Sequence, residues 1–179
     1  ANQTGGIFKT DDGGLNWFRQ NSANYDTSSS FANVVYFWDE NVGFAQGDPI
    51  NGEFELYVTE NGGENWTQVP GNNIPNPLGG EYGYTRQIEV VGNNVWFTTN
   101  KGRIYKSSDK GNNWDVFQSP ITDFGSAEVN GDISFGDAQN GILIDNSVNV
   151  YRTENGGETW FEITTSGPVY TSGLCYIEG

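Results

Sequence analysis

The sequence predicts an all-β protein, and three observations carry the prediction. Short runs of β-branched and aromatic residues alternate with Gly, Asn and Asp. A Trp-ended motif recurs four times. No stretch of useful length shows the 3.6-residue periodicity of a helix.

The repeat organises the chain. GIFKTDDGGLNW ends at Trp17, ELYVTENGGENW at Trp66, RIYKSSDKGNNW at Trp114 and NVYRTENGGETW at Trp160, in steps of 49, 48 and 46 residues. Each copy begins as a short strand (Ile7-Phe8, Leu56-Tyr57, Ile104-Tyr105, Val150-Tyr151) that stops at Thr10, Thr59, Ser107 or Thr153. Asp12, Asn61, Asp109 and Asn155 follow, with side-chain oxygens able to bind turn N–H groups. Gly14, Gly63, Gly111 and Gly157 allow the positive φ of a tight hairpin. The Trp then opens the returning strand, its indole folded beneath the turn.

Between copies the sequence supplies two more strands. Phe31 to Trp38, Arg86 to Val91, Asp132 to Phe135 and Leu174 to Ile177 read as inner strands, apolar enough to be covered on both faces. Val42 to Gln46, Val95 to Thr99 and Ile142 to Ile144 read as second strands, each reached through an Asp-, Asn- or Gly-bearing turn. Four antiparallel strands per repeat of this length describe the blade of a β-propeller. Residues 1–179 are expected to form a single partial propeller, with blade ends near 20, 70, 119 and 165. It holds three complete blades plus parts of two others. A closed ring needs about 4–8 blades, and the chain lacks Met, so it is expected to be a section of a longer one whose further blades are its partners.

The Ser/Thr-x-Asp/Asn-x-Gly-x-x-Trp motif resembles the Asp-box, or bacterial neuraminidase repeat. GIFKTDDGGLNW and VYRTENGGETW are most similar to photosystem II assembly-factor-like propellers, to sortilin-type receptors, and to propellers in large secreted bacterial surface proteins. The resemblance covers nearly the whole chain and implies a propeller fold. It also implies secreted or cell-surface placement, with protein or carbohydrate binding as the function.

Composition narrows the chemistry. With 23 Asp and Glu against 8 Lys and Arg, the formal charge is −15. That disfavours nucleic acid and anionic membrane partners, which need clustered cations, and no apolar run approaches the ~20 residues of a membrane span. With no His and only Cys175, Ser-His-Asp and Cys-His catalysis is excluded and no disulfide framework exists. No metal site and no cofactor are expected. The Asp-boxes read as structural staples, since the same motif in every blade is unlike an active site that occurs once.

Binding falls to the long connections between blades, Gln20 to Ser30, Gly71 to Thr85 and Ser119 to Gly131. Tyr25, Tyr82, Tyr84 and Phe124 on them, and Arg86 at the start of an inner strand, are the candidate ligand-binding residues. The plainer reading has these rings filling gaps between blades and Arg86 pairing with a nearby acid. The leading expectation is a non-catalytic platform for protein or glycan. The alternative is part of a propeller glycoside hydrolase working through paired carboxylates drawn from Asp39, Asp48, Asp132 and Asp145. An assembly factor gripping a client peptide ranks below both, because such a grip often uses basic patches and this chain has few cations.

Overall fold

The computed structural model describes residues 6–25, 30–125, 131–145, 147–167 and 174–177. These residues form fourteen strands in four antiparallel sheets, one 3-10 turn at Gly71–Asn73, and no α-helix. β1 (Phe8–Lys9) and β2 (Phe18–Arg19) make a two-stranded ribbon. The first complete blade is β3 (Ala32–Phe37), β4 (Gly43–Ile50), β5 (Glu53–Thr59) and β6 (Thr67–Gln68). The second is β7 (Gly83–Val91), β8 (Asn94–Thr99), β9 (Arg103–Ser107) and β10 (Asp115–Gln118). The third is β11 (Gly131–Phe135), β12 (Gly141–Asp145), β13 (Val150–Thr153) and β14 (Phe161–Ile163). Each blade is a meander in chain order. The innermost strands touch across blades, β3 against β7 and β7 against β11, so the sheets fan from a shared inner edge.

The hairpin motif folds the same way four times. In the first copy the Gly14 N–H donates to Thr10 Oγ1 at 2.9 Å, and the Asn16 N–H donates to Asp12 Oδ1 at 2.9 Å. Equivalent bonds join Gly63 to Thr59 and Asn65 to Asn61, Gly111 to Ser107 and Asn113 to Asp109, and Gly157 to Thr153 and Thr159 to Asn155. Asp and Asn serve alike because the turn needs only an acceptor oxygen. Two consecutive residues take positive φ in each turn. The second is always Gly; the first is Gly13, Gly62 or Gly156 in three copies and Lys110, at φ 58°, in the other.

Three cores lie between consecutive blades and not inside any one sheet. Phe44, Phe54 and Leu56 interlock with Val95, Phe97, Tyr105 and Trp114. Trp96 and Ile104 meet Ile133, Phe135 and Leu143. Ile7, Ala23 and Tyr25 meet Ala45, Tyr57 and Trp66. Burying a side chain such as Phe44 contributes about 1.5–3 kcal/mol.

The structure corrects four expectations. In the first two complete blades the strand buried on both faces is the second: Gly43 to Gly47 and Val95 to Thr99 are buried throughout, whereas Val35 and Phe37 of β3 are exposed by 46% and 38%. The innermost strand borders the open inner edge, whereas the second has a sheet neighbour on each side and packs into the cores between blades. Residues 174–177 form no strand and pair with no described sheet. They lean on β11 instead, with the Tyr176 N–H donating to Ser134 Oγ at 3.0 Å.

Trp17 keeps its indole hydrogen bond to the Gly14 carbonyl but stands 60% exposed, against 5% for both Trp66 and Trp114. No described blade covers its outer face. Finally, Tyr25 and Phe124 are core residues and not surface rings, each 1% exposed. Tyr25 packs edge-on against Tyr57 at 4.9 Å and lies over Gly47, where a Cβ would stand only 2.4 Å from its ring.

Candidate functional site

The paired registers show which inner-edge positions are equivalent. The motif Thr or Ser lies opposite Gly43, Val95 and Gly141 on the second strands. Counting along the inner strands from those points aligns Tyr36 with Glu89 and Ser134, Val34 with Gln87 and Asp132, and Asn33 with Arg86 and Gly131. The ladder is irregular between Ala32 and Val34 and between Gly83 and Ile88, so Asn33 and Arg86 fall in bulges. Bulges re-aim side chains at the rims of sheets.

Arg86 is strained. Its φ is +65°, a left-handed conformation that costs a residue with a Cβ about 1–2 kcal/mol. Its side chain is exposed and no described acid pairs with it. It stands at the mouth of a cleft of about 120 Å³ between β7 and β11, which Gln87, Glu89, Thr98, Phe124 and Asp132 also line.

The floor of this cleft is tied down. Gln87 donates from Nε2 to the Gly125 carbonyl at 2.9 Å and accepts from Thr98 Oγ1 at 2.5 Å. Glu89 Oε1 accepts from Ser134 Oγ and from the Phe135 N–H, both at 3.0 Å, clamping β7 to β11. Burial pushes the Asp132 carboxyl above its ordinary pKa, partly offset by the Ile133 N–H that it accepts at 2.9 Å.

Beside the cleft, Tyr82 and Tyr84 form an edge-to-face pair with centroids 5.4 Å apart. The Tyr84 hydroxyl donates to Asp123 Oδ1 at 2.5 Å, and Tyr82 is 44% exposed. Burial and the Asp123 carboxylate push the Tyr84 hydroxyl pKa well up. The connection bearing them is held by Glu81, whose side chain is fully buried and ion-paired to Arg103. Thr99 Oγ1 and the Leu78 N–H donate to the same carboxylate at 2.7 Å each. Burial alone would raise the Glu81 pKa, but the Arg103 guanidinium and the Thr99 hydroxyl outweigh it and lower it.

The structure therefore brings Arg86 and Phe124 to one cleft, Phe124 as part of its wall, with Tyr82 at the end of the adjoining connection and Tyr84 in β7 itself. Tyr25 lies apart, between the first two sheets. Gln87, Glu89 and Asp123 were not singled out from the sequence, although a Gln and a Glu interrupting an apolar strand were a usable signal.

The carboxylates are unequal. Asp39 caps a turn, accepting from the Asn41 and Val42 N–H groups at 2.8 Å, and those amides lower its pKa. Asp145 holds the Ser147 and Asn149 N–H groups at 2.8 and 2.9 Å. Asp48 accepts from Asn33 Nδ2 at 2.8 Å and is pushed up by burial. Asp12 is consumed by its hairpin: the Asn16 N–H and side chain, with Thr10, hold its pKa at about 2. Among the described residues no group of three His, Cys, Asp or Glu is placed to hold a metal ion.

The family profile of the photosynthesis system II assembly factor YCF48 matches residues 2–123. The chain belongs to this family. No curated protein matches it. Among solved structures it is similar to YCF48 bound to D1 peptide, at 17% identity over 73% of this chain and 38% of that one, with a TM-score of 0.48. YCF48 from Cyanidioschyzon merolae shares 20% identity over 74% and 37%, with a TM-score of 0.49. The GH74 enzyme of Niastella koreensis shares 17% over 90% and 22%, with a TM-score of 0.54. That last likeness shows a common propeller fold. The chain spans 38% or less of the length of each of these three proteins.

Proposed function

We propose that this member of the YCF48 family is a non-catalytic binding module that holds a carboxylate-bearing segment of another protein at the cleft between β7 and β11. The observation that carries the reading is Arg86: a strained, exposed guanidinium without a described partner, at the mouth of a cleft whose floor is locked by Gln87 and Glu89. Strain maintained at an exposed position is a mark of functional use. An assembly-factor family favours a protein client. Tyr82 and Tyr84, immobilised through Glu81 and Asp123, provide an apolar wall for the client's neighbouring residues or for a glycan. We place the parent protein outside the cell, secreted or on its surface, where a net charge of −15 keeps such a module soluble.

The test is fluorescence anisotropy with labelled peptides that end in a free carboxylate or in an amide. Amidation and Arg86→Glu should each weaken binding about tenfold or more, the loss of one charge-assisted contact. Equal binding in all three cases would overturn the assignment.

The rival hydrolase reading rests on Asp48 and Asp132, the two candidate acids whose pKa burial raises. It requires glycan cleavage by the purified chain that disappears in Asp132→Asn.

A further inference from the structure

The chain contains five Asn-Gly pairs, beginning at Asn51, Asn61, Asn130, Asn140 and Asn155. Such a pair rearranges without an enzyme when its two reacting groups are free to meet. The glycine nitrogen, with no Cβ beside it to hinder approach, attacks the asparagine Cγ. Asn130 lies outside the described residues, and the other four pairs differ in how firmly those groups are held.

Asn61 and Asn155 belong to the hairpin motif, and both are locked. Asn61 Oδ1 accepts from Thr59 Oγ1 at 3.0 Å and from the Asn65 N–H at 2.9 Å, while the Gly62 N–H donates to the Asn41 carbonyl at 2.8 Å. Asn155 Oδ1 accepts from Thr153 Oγ1 and the Thr159 N–H, and its Nδ2 donates to Thr159 Oγ1. The Gly156 N–H donates to the Gln139 carbonyl at 2.7 Å. At Asn140 the backbone N–H and Nδ2 both donate to Asp137, and Gly141 is buried in the β11–β12 ladder. Exposure does not make the distinction, since Asn61 is itself exposed.

Asn51 is held by none of these ties. With Gly52 it forms the two-residue tip of the β4–β5 hairpin, beyond the Ile50–Glu53 pair. Their φ angles of 53° and 87° fit a type I′ turn. Both residues are exposed, and a Cβ on Gly52 would meet nothing within 4 Å. Among the described residues, neither the Asn51 side chain nor the Gly52 N–H has a hydrogen-bond partner.

We propose that the tip of the β4–β5 hairpin is a modification site at which Asn51 deamidates, while the motif asparagines are protected by the bonds that build their turns. A base takes the Gly52 N–H proton, the bond from that nitrogen to Cγ forms, and the Cγ–Nδ2 bond breaks. Ammonia leaves and a succinimide ring remains. Water then opens the ring at either carbonyl, giving an aspartyl or an isoaspartyl linkage. The aspartyl product keeps the turn, which accepts Asp as readily as Asn. The isoaspartyl product lengthens the backbone by a methylene and disturbs the Ile50–Glu53 register, next to the core residue Phe54. Either way the tip gains a carboxylate, and the isoaspartyl form is a substrate for carboxyl methyltransferases. Asn51 is not among the residues lining the Arg86 cleft, so the site stands or falls independently of the proposed client.

The test ages the 179-residue chain in mildly alkaline buffer and follows each pair by peptide mass spectrometry. Asn51 should convert about tenfold or more faster than Asn61, Asn140 and Asn155, each of which must first open hydrogen bonds. In concentrated urea, where those bonds are gone, the four rates should converge. An isoaspartyl methyltransferase should label the Asn51 peptide, and Gly52→Ala should suppress both conversion and labelling. Equal conversion of Asn51 and the motif asparagines in the folded chain would overturn the proposal. So would an order that persists in urea, which would trace the difference to neighbouring residues and not to the fold.

Discussion

Arg86 illustrates how a single residue can hold stability and function in opposition. Its left-handed backbone suits glycine, so Arg86→Gly should raise stability by about 1 kcal/mol, measured by urea denaturation. The same change should abolish carboxylate-dependent peptide binding. Glu81 has the opposite character: it is buried and its partner cannot be removed cheaply. Arg103→Leu should cost about 3–5 kcal/mol by leaving a carboxylate uncompensated. Because the Glu81 pKa is lower in the folded state than when unfolded, its contribution is fully present above the ordinary Glu value of 4.5. It is lost as pH falls through the folded value. Stability profiles of the protein and of Glu81→Gln should therefore converge as pH falls from 4.5 through that value, and persistence of the gap in acid would refute the linkage.

At the scale of the element, the hairpin motif and the connections answer to different forces. Trp114 closes its turn by donating to the Gly111 carbonyl at 2.8 Å and packs on both Phe44 and Phe97. Trp114→Ala should therefore cost about 3–5 kcal/mol. Tyr84→Ala should cost far less, since its ring is only half-buried and Asp123 retains the Gly125 N–H. Thermal melts of the two variants should differ by many degrees. Equal damage would mean that the first residues of β7 belong to the core after all, as Tyr25 and Phe124 already do.

For the whole molecule, stability should grade along the chain. β4 and β8 lie inside two inter-blade cores, whereas β1 and β2 have one neighbour each, so amide exchange should be slowest in the former and fastest in the latter. With a net charge of −15, self-repulsion opposes the compact state. Raising salt from about 0.01 to 0.15 M shortens the screening length to about 8 Å and should raise the melting temperature.

The repeat alone determined the blades, their order and the hairpin chemistry, because each motif is a local structure whose Thr, Asp or Asn, Gly and Trp satisfy one another within eight residues. Which strand is buried was not local. The sequence pattern pointed to Phe31 to Trp38, yet the second strand won, because burial depends on the blades standing on either side. The same holds for the rings: Tyr25 and Tyr82 read alike along the chain, and only the packing of Tyr25 over Gly47 separates them. Arg86 was visible as a rare cation, but its strained bulge, its lack of a described partner and its place beside Gln87 and Asp132 arise from the register of β7 on β8 and the approach of β11. Those are distances between segments far apart in sequence, which tertiary structure alone decides.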